Sequence, residues 1–171
     1  MSIVVVQDAN VFIDLQTARV LDVLFRMDWE FHTTDAVLDE VEESLDEHIR
    51  TGLLQVRRMS GGELAAIVIL RGQQPRRISI EDCTLLDLAA RLRAVLLTGD
   101  ANLRFCAERS NIQVRGTLWV LDMLTEAGRL TPRQAGAALQ RLMKAGRRLP
   151  ADECQARIQR WAGAEGSACK L

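Results

Sequence analysis

The sequence predicts an α/β fold in which helices cover both faces of a parallel β-sheet. Short runs of β-branched and aliphatic residues, most clearly Ile3–Val6 and Ala94–Leu97, are typical of buried strands. Segments with apolar residues at helical spacing lie between such runs, so that strands and helices alternate along the chain. With 171 residues, of which 48% are hydrophobic, the chain is long enough to bury a full hydrophobic core.

The remaining elements of this fold are predicted from the same periodicity. Three further strands are predicted, at Glu30–Thr33, Leu53–Val56 and Ile112–Val114. Six helices are predicted: through Leu15 to Phe25, from an Asp35 cap to Leu45, over Leu64–Leu70, over Glu81–Arg93, over Ala101–Glu108, and from Thr117 to near Gly128. Ser60 and Glu63 form the S-x-x-E pattern of a capping box before the third of these helices.

The chain changes character after Gly128. No strand is predicted there; Thr131 and Pro132 begin one helix, and Pro150 begins another. We therefore predict an α/β domain over residues 1–128 and a basic helical extension over 129–171, packed on the domain or extending from it. The extension carries nine basic and three acidic side chains, against 13 and 20 in the domain. This asymmetry indicates contact with nucleic acid or with a partner, although a solvated helical surface has the same composition.

Two classes of protein are excluded by the composition. No stretch is long and apolar enough to span a bilayer, and the N-terminus lacks the features of a signal peptide, so we expect a cytoplasmic protein that does not contact membranes. The four cysteines form no C-x-x-C pair, and the only histidines are His32 and His48. A zinc site of the usual spacing is therefore absent.

Two acids end predicted strands. Asp8 ends IVVVQD, and Asp100 ends AVLLTGD. Ligands of open α/β sheets bind outside the carboxyl ends of the strands, so neighbouring strands would bring both carboxylates into one crevice. Two such carboxylates repel each other unless a cation offsets their charge, and their hard oxygen atoms suit Mg²⁺ or Mn²⁺. Taken singly, each acid is better explained as a helix N-cap, but the occurrence of both at strand ends weakens that interpretation.

Further acids are candidates for the same site. Asp82 lies near the apolar face of its helix, whereas Asp87 lies almost opposite and is expected to face solvent. Asp82 also fits a second interpretation, as the last residue of a capping box that begins at Ser79. A fourth acid is undecided, because helical phase places Glu40 and Glu42 on opposite flanks of an apolar stripe.

Six segments carry a family resemblance: VVVQDANVFIDL, DAVLDEVEE, GGELAAIVIL, SIEDCTLLDLAARL, AVLLTGDANLRFCAE and VRGTLWVLDML. In this order, and over most of Ile3 to Leu124, the chain resembles the PIN-domain nucleases, and in particular their VapC-like bacterial and archaeal branch. The resemblance implies a three-layer α/β/α sandwich around a parallel sheet. It also implies a cluster of three or four acids that holds divalent metal.

The resemblance implies roles for individual residues. The acids of the cluster would be Asp8, Glu40, Asp82 and Asp100. Glu40 is thereby favoured over Glu42, a choice that helical phase leaves open. Asn10 and Thr98 match polar supporting positions, while Glu63 matches a recurring glutamate that the capping box explains equally well.

The function implied is metal-dependent hydrolysis of RNA phosphodiester bonds. Asp8, Asp82 and Asp100 would hold one or two Mg²⁺ or Mn²⁺ ions, and Glu40 would orient or deprotonate the attacking water. Phosphate contacts are expected from basic side chains, which are Arg104, Arg133, Arg141, Lys144, Arg147 and Arg148. The resemblance alone implies a homodimer, an antitoxin-like protein partner and a toxin role.

Two alternatives compete with this interpretation. The D-A-N-V motif is one residue away from the D-x-D-x-[TV] motif of haloacid-dehalogenase-like phosphatases. Those enzymes need a second aspartate where this chain has Asn10, and a lysine, yet the only lysines are Lys144 and Lys170. The second alternative is a partner-binding or regulatory module that has kept the fold without turnover.

Overall fold

A computed structural model describes residues 2–41 and 45–168, with side chains described as far as residue 163. Within these residues the chain forms five strands and ten helices. The strands are β1 Ile3–Gln7, β2 Trp29–Thr34, β3 Leu54–Arg57, β4 Val95–Leu97 and β5 Val114–Arg115. The helices are α1 Ala9–Thr17, α2 Leu21–Leu24, α3 Asp35–Leu38, α4 Asp46–Arg50, α5 Gly61–Gln73, α6 Ile80–Leu92, α7 Ala101–Arg109, α8 Thr117–Glu126, α9 Pro132–Lys144 and α10 Ala151–Ala168.

The five strands form one parallel sheet in the order β3-β2-β1-β4-β5. The central strand β1 pairs with β2 through Val5 opposite Phe31, and with β4 through Val6 opposite Leu96. The predicted α/β class with a parallel sheet is confirmed, and the fold is consistent with the predicted three-layer sandwich. Because β1 and β4 are neighbours, the residues that follow them emerge side by side at one edge of the sheet.

The chain divides into two compact units. The first runs through residue 12 and continues from 28 to 115, so it contains the whole sheet and α3 to α7. The second comprises 13–27 and the residues from 116 onward, with α2 and α8 to α10. The predicted division into a domain up to Gly128 and an extension beyond it stays a prediction.

The core of the first unit lies where α6 packs on β1, β2 and β4. Val6, Leu85 and Leu96 are fully buried in this core. A buried hydrogen bond of 2.8 Å between the hydroxyl groups of Thr34 and Thr84 also joins β2 to α6. Since α6 leads into β4, it returns antiparallel to the strands, and its N-terminus lies at the edge where the strands end.

Two predicted helices are wrong in extent. The first is divided into α1 and α2 at Arg19, which has a positive φ of 59°. The N–H of Val20 there donates to the carbonyl of Leu15 at 3.0 Å, a closure typical of a helix end. The second stops as α3 at Leu38, and its N-cap is Thr34 rather than Asp35. Residues 42–44, including Glu42, lie outside the described residues.

The second unit is helical, as predicted for the chain after Gly128. Thr131 and Gln134 form a capping box, and Pro132 is the first residue of α9. Helix α9 packs on α8 and α10, with Ala135, Leu139 and other residues buried. Among the helices described, none has both the length and the apolar character needed to cross a membrane.

Candidate active site

The four acids predicted to form the site belong to the first unit. Asp8 follows β1, and its N–H donates to the carbonyl of Leu97, the last residue of β4, at 3.0 Å. Asp100 follows β4 and directly precedes α7. Asp82 lies in the first turn of α6, and Glu40 lies in a turn just after α3. Two of these acids therefore follow neighbouring strands, and the other two lie on connections between strands of the same unit.

The Asp8 carboxylate is buried and held by two polar neighbours. Its exposed fraction is 6%. The hydroxyl of Thr98 donates to Asp8 Oδ2 at 2.6 Å, and the side-chain amide of Asn10 donates to the same oxygen. The Asn10 amide also lies 3.3 Å from Thr98 Oγ1. Asn10 and Thr98 therefore both contact the Asp8 carboxylate, while their role as supporting residues of a metal site stays a prediction.

The loop Thr98-Gly99-Asp100 is shaped by the same contacts. The N–H of Gly99 donates to Asn10 Oδ1 at 2.8 Å, and the N–H of Asp100 donates to Thr98 Oγ1 at 3.0 Å. A Cβ atom added at Gly99 would lie 3.3 Å from Asn10 Oδ1, closer than ordinary van der Waals contact. The glycine thus lets the loop approach Asn10, and the loop ties Asp100 to the neighbourhood of Asp8.

Two of the acids are also helix caps. Asp100 is the N-cap of α7, where its Oδ1 accepts from the N–H groups of Asn102 at 2.9 Å and Leu103 at 2.8 Å. Asp82 Oδ2 accepts from the N–H of Ser79 at 2.8 Å, and its own N–H donates to Ser79 Oγ at 2.9 Å. The capping interpretation is therefore confirmed for both. It does not exclude a second role, because each cap uses one oxygen of a carboxylate that has two.

The acids act on one another electrostatically. Burial raises the pKa of Asp8 to about 6, and the charges of Asp82 and Glu40 contribute to this rise. Burial raises the pKa of Asp82 as well, with contributions from Asp100 and Glu81. The pKa of Glu40 is raised by burial and by the charges of Glu81 and Asp82. The four predicted acids therefore share one negative field.

Glu81 strengthens this field, although no sequence pattern singled it out. Its charge raises the pKa of both Glu40 and Asp82. The only local signal was its place beside Asp82 in the S-I-E-D segment. Glu63, by contrast, forms its predicted capping box with Ser60, and hydrogen bonds from Ser60 and Arg57 lower its pKa to about 2.

The donor set suits a hard divalent cation in its chemistry. Carboxylate oxygens are the ligands that Mg²⁺ and Mn²⁺ prefer, and a cation would offset both the burial of these charges and the repulsion among them. The arrangement of these side chains is less favourable to a bound ion than their chemistry is. Across residues 2–41 and 45–163, whose side chains are described, no three His, Cys, Asp or Glu side chains come together in a group that could hold a metal ion.

The cations predicted to contact RNA fall into two groups. Arg104 donates to the Thr98 carbonyl at 3.1 Å, and Arg141 donates to the Ala18 carbonyl at 3.0 Å. Arg147 forms an ion pair with Asp14. The remaining three are exposed and make no hydrogen bond or ion pair within the described residues; these are Arg133, Lys144 and Arg148.

Asp14, for which the sequence suggested no role, has a structural one. It is buried in the second unit, where the Thr117 hydroxyl donates to its Oδ2 at 2.6 Å and Arg147 pairs with its Oδ1. The ion pair satisfies a carboxylate that would be costly to bury alone. Arg147 therefore stabilises the unit, and its contact with RNA stays a prediction.

The comparison with known families agrees with this arrangement. A family model described as a PIN domain matches residues 4–163, a range that includes Asp8, Glu40, Asp82 and Asp100. The chain has no significant match among the curated proteins. Its place in the VapC-like branch stays a prediction. Since the matched range covers most of the sequence, the chain belongs to the PIN-domain family.

Proposed function

We propose that this protein is a divalent-metal-dependent endoribonuclease that hydrolyses RNA phosphodiester bonds at the acids beside β1 and β4. The PIN domain is a nuclease-type fold, which supports a hydrolase in general terms. One observation carries the finer proposal: Asp8, Glu40 and Asp82 have raised pKa values, chiefly because they are buried and in part because of the charges of neighbouring acids. A fold that accumulates partly buried carboxylates in one field is best explained by a cation that offsets them.

In this proposal Asp8, Asp82 and Asp100 would hold Mg²⁺ or Mn²⁺. When bound, the ion would supply a more acidic water and neutralise charge on the phosphate oxygens. Asn10 and Thr98 fix the Asp8 carboxylate through its Oδ2, which limits its rotation. Glu40 would orient or deprotonate the attacking water, and its raised pKa makes it a stronger base than an ordinary glutamate.

The experiment is RNA cleavage under controlled metal conditions. Purified protein is incubated with structured and single-stranded RNA in Mn²⁺, Mg²⁺ or chelator, beside Asp8→Asn and Asp100→Asn. We expect each substitution to lower the cleavage rate by about 100-fold or more, because each removes a charge from the site. Asp87→Asn is the matched control, since it removes an acid of α6 that pairs with Arg91. Cleavage that survives the chelator would contradict the proposal.

A second candidate is a PIN-fold module that binds a partner without turnover. It is favoured by the finding that no three acids form a coordination group within the described residues. Calorimetric binding of Mn²⁺ without cleavage of any RNA would support this candidate over the nuclease. The phosphatase alternative is weakened, because the Asn10 amide donates to Asp8 at the position where those enzymes need an acid.

The toxin role, the antitoxin-like partner and the homodimer are proposals that rest on the family resemblance. Induced expression in a bacterial host should arrest growth, and Asp100→Asn should not. The molar mass of the purified chain in solution tests the homodimer. Normal growth with a protein that cleaves RNA in vitro would separate the nuclease from the toxin role.

A further inference from the structure

We propose that residues 74–78, here called the arginine loop, and Arg71 bind a phosphate of the RNA backbone beside the acidic site. This inference rests on the proposed function, because it states where the substrate of that site is held. The arginine loop connects α5 to α6 and directly precedes Ser79, the N-cap of α6. The sequence had indicated RNA contacts elsewhere, at Arg104 and along the C-terminal helices.

The composition of the arginine loop fits a polyanion. Residues 71–80 contain three arginines and no acid. These arginines, Arg71, Arg76 and Arg77, are exposed and line an open concavity of about 400 Å³ together with Val68, Gln74 and Ile78. Guanidinium groups donate several hydrogen bonds in a planar fork that matches phosphate oxygens. Three of them around one concavity, with no acid among the lining residues, form a local positive field.

Arg76 is held in place by its neighbours. Its guanidinium group lies 4.1 Å from the ring centre of Phe105, a cation–π contact. One of its nitrogens also donates to Asn102 Oδ1 at 3.2 Å. Two contacts on one side chain reduce the rotational freedom that binding would otherwise remove. Arg76 is therefore pre-organised, and its remaining N–H groups are available to a ligand.

The arginine loop is linked to residues of the acidic site through Arg76 and through the residue that follows the loop. Asn102, which accepts from Arg76, donates its own N–H to Asp100 Oδ1 at 2.9 Å. Ser79, which follows the loop, donates its N–H to Asp82 Oδ2 at 2.8 Å. One hydrogen-bonded residue thus separates the loop from each of two proposed metal ligands. A phosphate bound by the loop would therefore belong to the same RNA strand as the phosphodiester bond that is hydrolysed at the acids.

A nuclease built on this site needs such a positive neighbour. The acids repel a polyanion, so substrate binding requires cations close by to offset their field. Arg77 meets this need most directly, because it is exposed and makes no ion pair or hydrogen bond within the part of the chain that is described. Arg71 donates to the carbonyl of Ile78 at 2.9 Å and keeps its other N–H groups.

The test is RNA binding without cleavage. A fluorescent single-stranded RNA is titrated with the full chain in chelator at several salt concentrations, for Arg76→Gln and Arg77→Gln. Each should raise Kd by roughly 3- to 10-fold and flatten the dependence of log Kd on log salt by about 0.7, the value for one lost phosphate contact to a single strand. Arg93→Gln is the matched control, an exposed arginine that precedes β4 at the opposite edge of the sheet.

Several outcomes decide the inference. Equal losses with single-stranded DNA of the same sequence would support a phosphate contact. Unchanged RNA binding in Arg77→Gln, which breaks no described contact, would overturn the inference, as would a wild-type chain with no RNA affinity in chelator. Weaker binding of a polyglutamate peptide with unchanged RNA binding would instead assign the loop to an acidic protein. Cleavage is scored separately, so that metal-independent cleavage contradicts the proposed function and leaves the binding result standing.

Discussion

At the residue scale, the burial of Asp8 opposes its ionised form. The pKa of this carboxyl is raised from 3.8 to about 6, chiefly by burial. The folded chain therefore binds this proton more tightly than the unfolded chain does, which stabilises the fold below about pH 4 and is lost as the pH rises through about 6. A group that the fold disfavours in its charged form is one that a bound cation could stabilise at neutral pH.

The Asp8→Asn substitution should stabilise the metal-free protein at neutral pH. We expect the free energy of unfolding at pH 7.5 to rise by on the order of 2 kcal/mol, because no charge has to be buried. The decline in stability between about pH 4 and 6 should become shallower. Urea unfolding in chelator across this range measures both, with Asp87→Asn as the control, because Asp87 is only partly buried and its carboxylate pairs with Arg91. An unchanged pH dependence would contradict the effect of burial on Asp8.

Gly99 should matter to the site more than to the fold. An alanine Cβ would lie 3.3 Å from Asn10 Oδ1, so the Asn10 side chain would have to shift slightly, which would disturb its hydrogen bond to the Asp8 carboxylate. For Gly99→Ala we expect about a 10-fold loss of Mn²⁺ affinity, measured by calorimetry, with a stability loss of about 1 kcal/mol. The control is Gly62→Ala in α5, where an added Cβ meets nothing within 4 Å. Equal losses of Mn²⁺ affinity in both variants would show that Asn10 does not support the site.

At the element scale, Ser79 and Ser60 form two matched capping boxes. Ser79 opens α6 with Asp82, and Ser60 opens α5 with Glu63. Either serine-to-alanine substitution should cost about 1 kcal/mol of unfolding free energy. Only Ser79→Ala should also slow RNA cleavage, by roughly 10-fold, because it loosens a proposed metal ligand. If both variants cleave equally well, then the capping box of Asp82 has a structural role alone.

The sequence predicted elements well where a local rule decides them. Buried strands such as β1 follow from runs of β-branched residues, and the start of α9 follows from Thr131 and Pro132. The break at Arg19 carried no such signal, because a positive φ is uncommon outside glycine. Strand β5 was predicted at Ile112 but begins at Val114, since strand pairing and not hydropathy sets its limits.

The candidate site residues also divide into those that a local sequence rule identifies and those that it does not. Asp8 and Asp100 could be predicted from their places at strand ends, and Asp82 from helical phase. Glu40 needed the family resemblance, because its turn lies outside the regular helix that phase assumes. Glu81 was missed, since its effect on Glu40 arises from residues that folding brings together.

At the scale of the whole molecule, contacts between residues that are distant in the sequence determine the role of each basic side chain. Asp14 and Arg147 are far apart in the sequence, yet their ion pair is part of the second unit. Two further ion pairs join Asp122 of α8 to Arg157 and Arg160 of α10. Part of the basic charge after Gly128 is therefore used to stabilise the fold, and only the remainder is available to RNA.

Arg147 and Arg148 should therefore behave differently although they are adjacent. Among the described residues, Arg147→Gln leaves the buried Asp14 carboxylate with the Thr117 hydroxyl as its one side-chain partner, which should lower the free energy of unfolding by about 2 kcal/mol. Arg148→Gln removes an exposed cation and should change that free energy by less than about 0.5 kcal/mol. Denaturant unfolding of the two variants measures the difference, and equal stabilities would show that the ion pair contributes nothing.

RNA affinity gives the complementary measurement for the exposed basic side chains of α9 and of the residues just after it. If the exposed cations bind phosphates as proposed, replacing Arg133, Lys144 and Arg148 with glutamine should reduce the salt dependence of log Kd by about 2, since each contact to a single strand contributes about 0.7. Stability should change little, because none of the three pairs with an acid within the described residues. An unchanged salt dependence would mean that the phosphates are held by the first unit alone, and that the basic charge of α9 and of the residues just after it serves a partner instead.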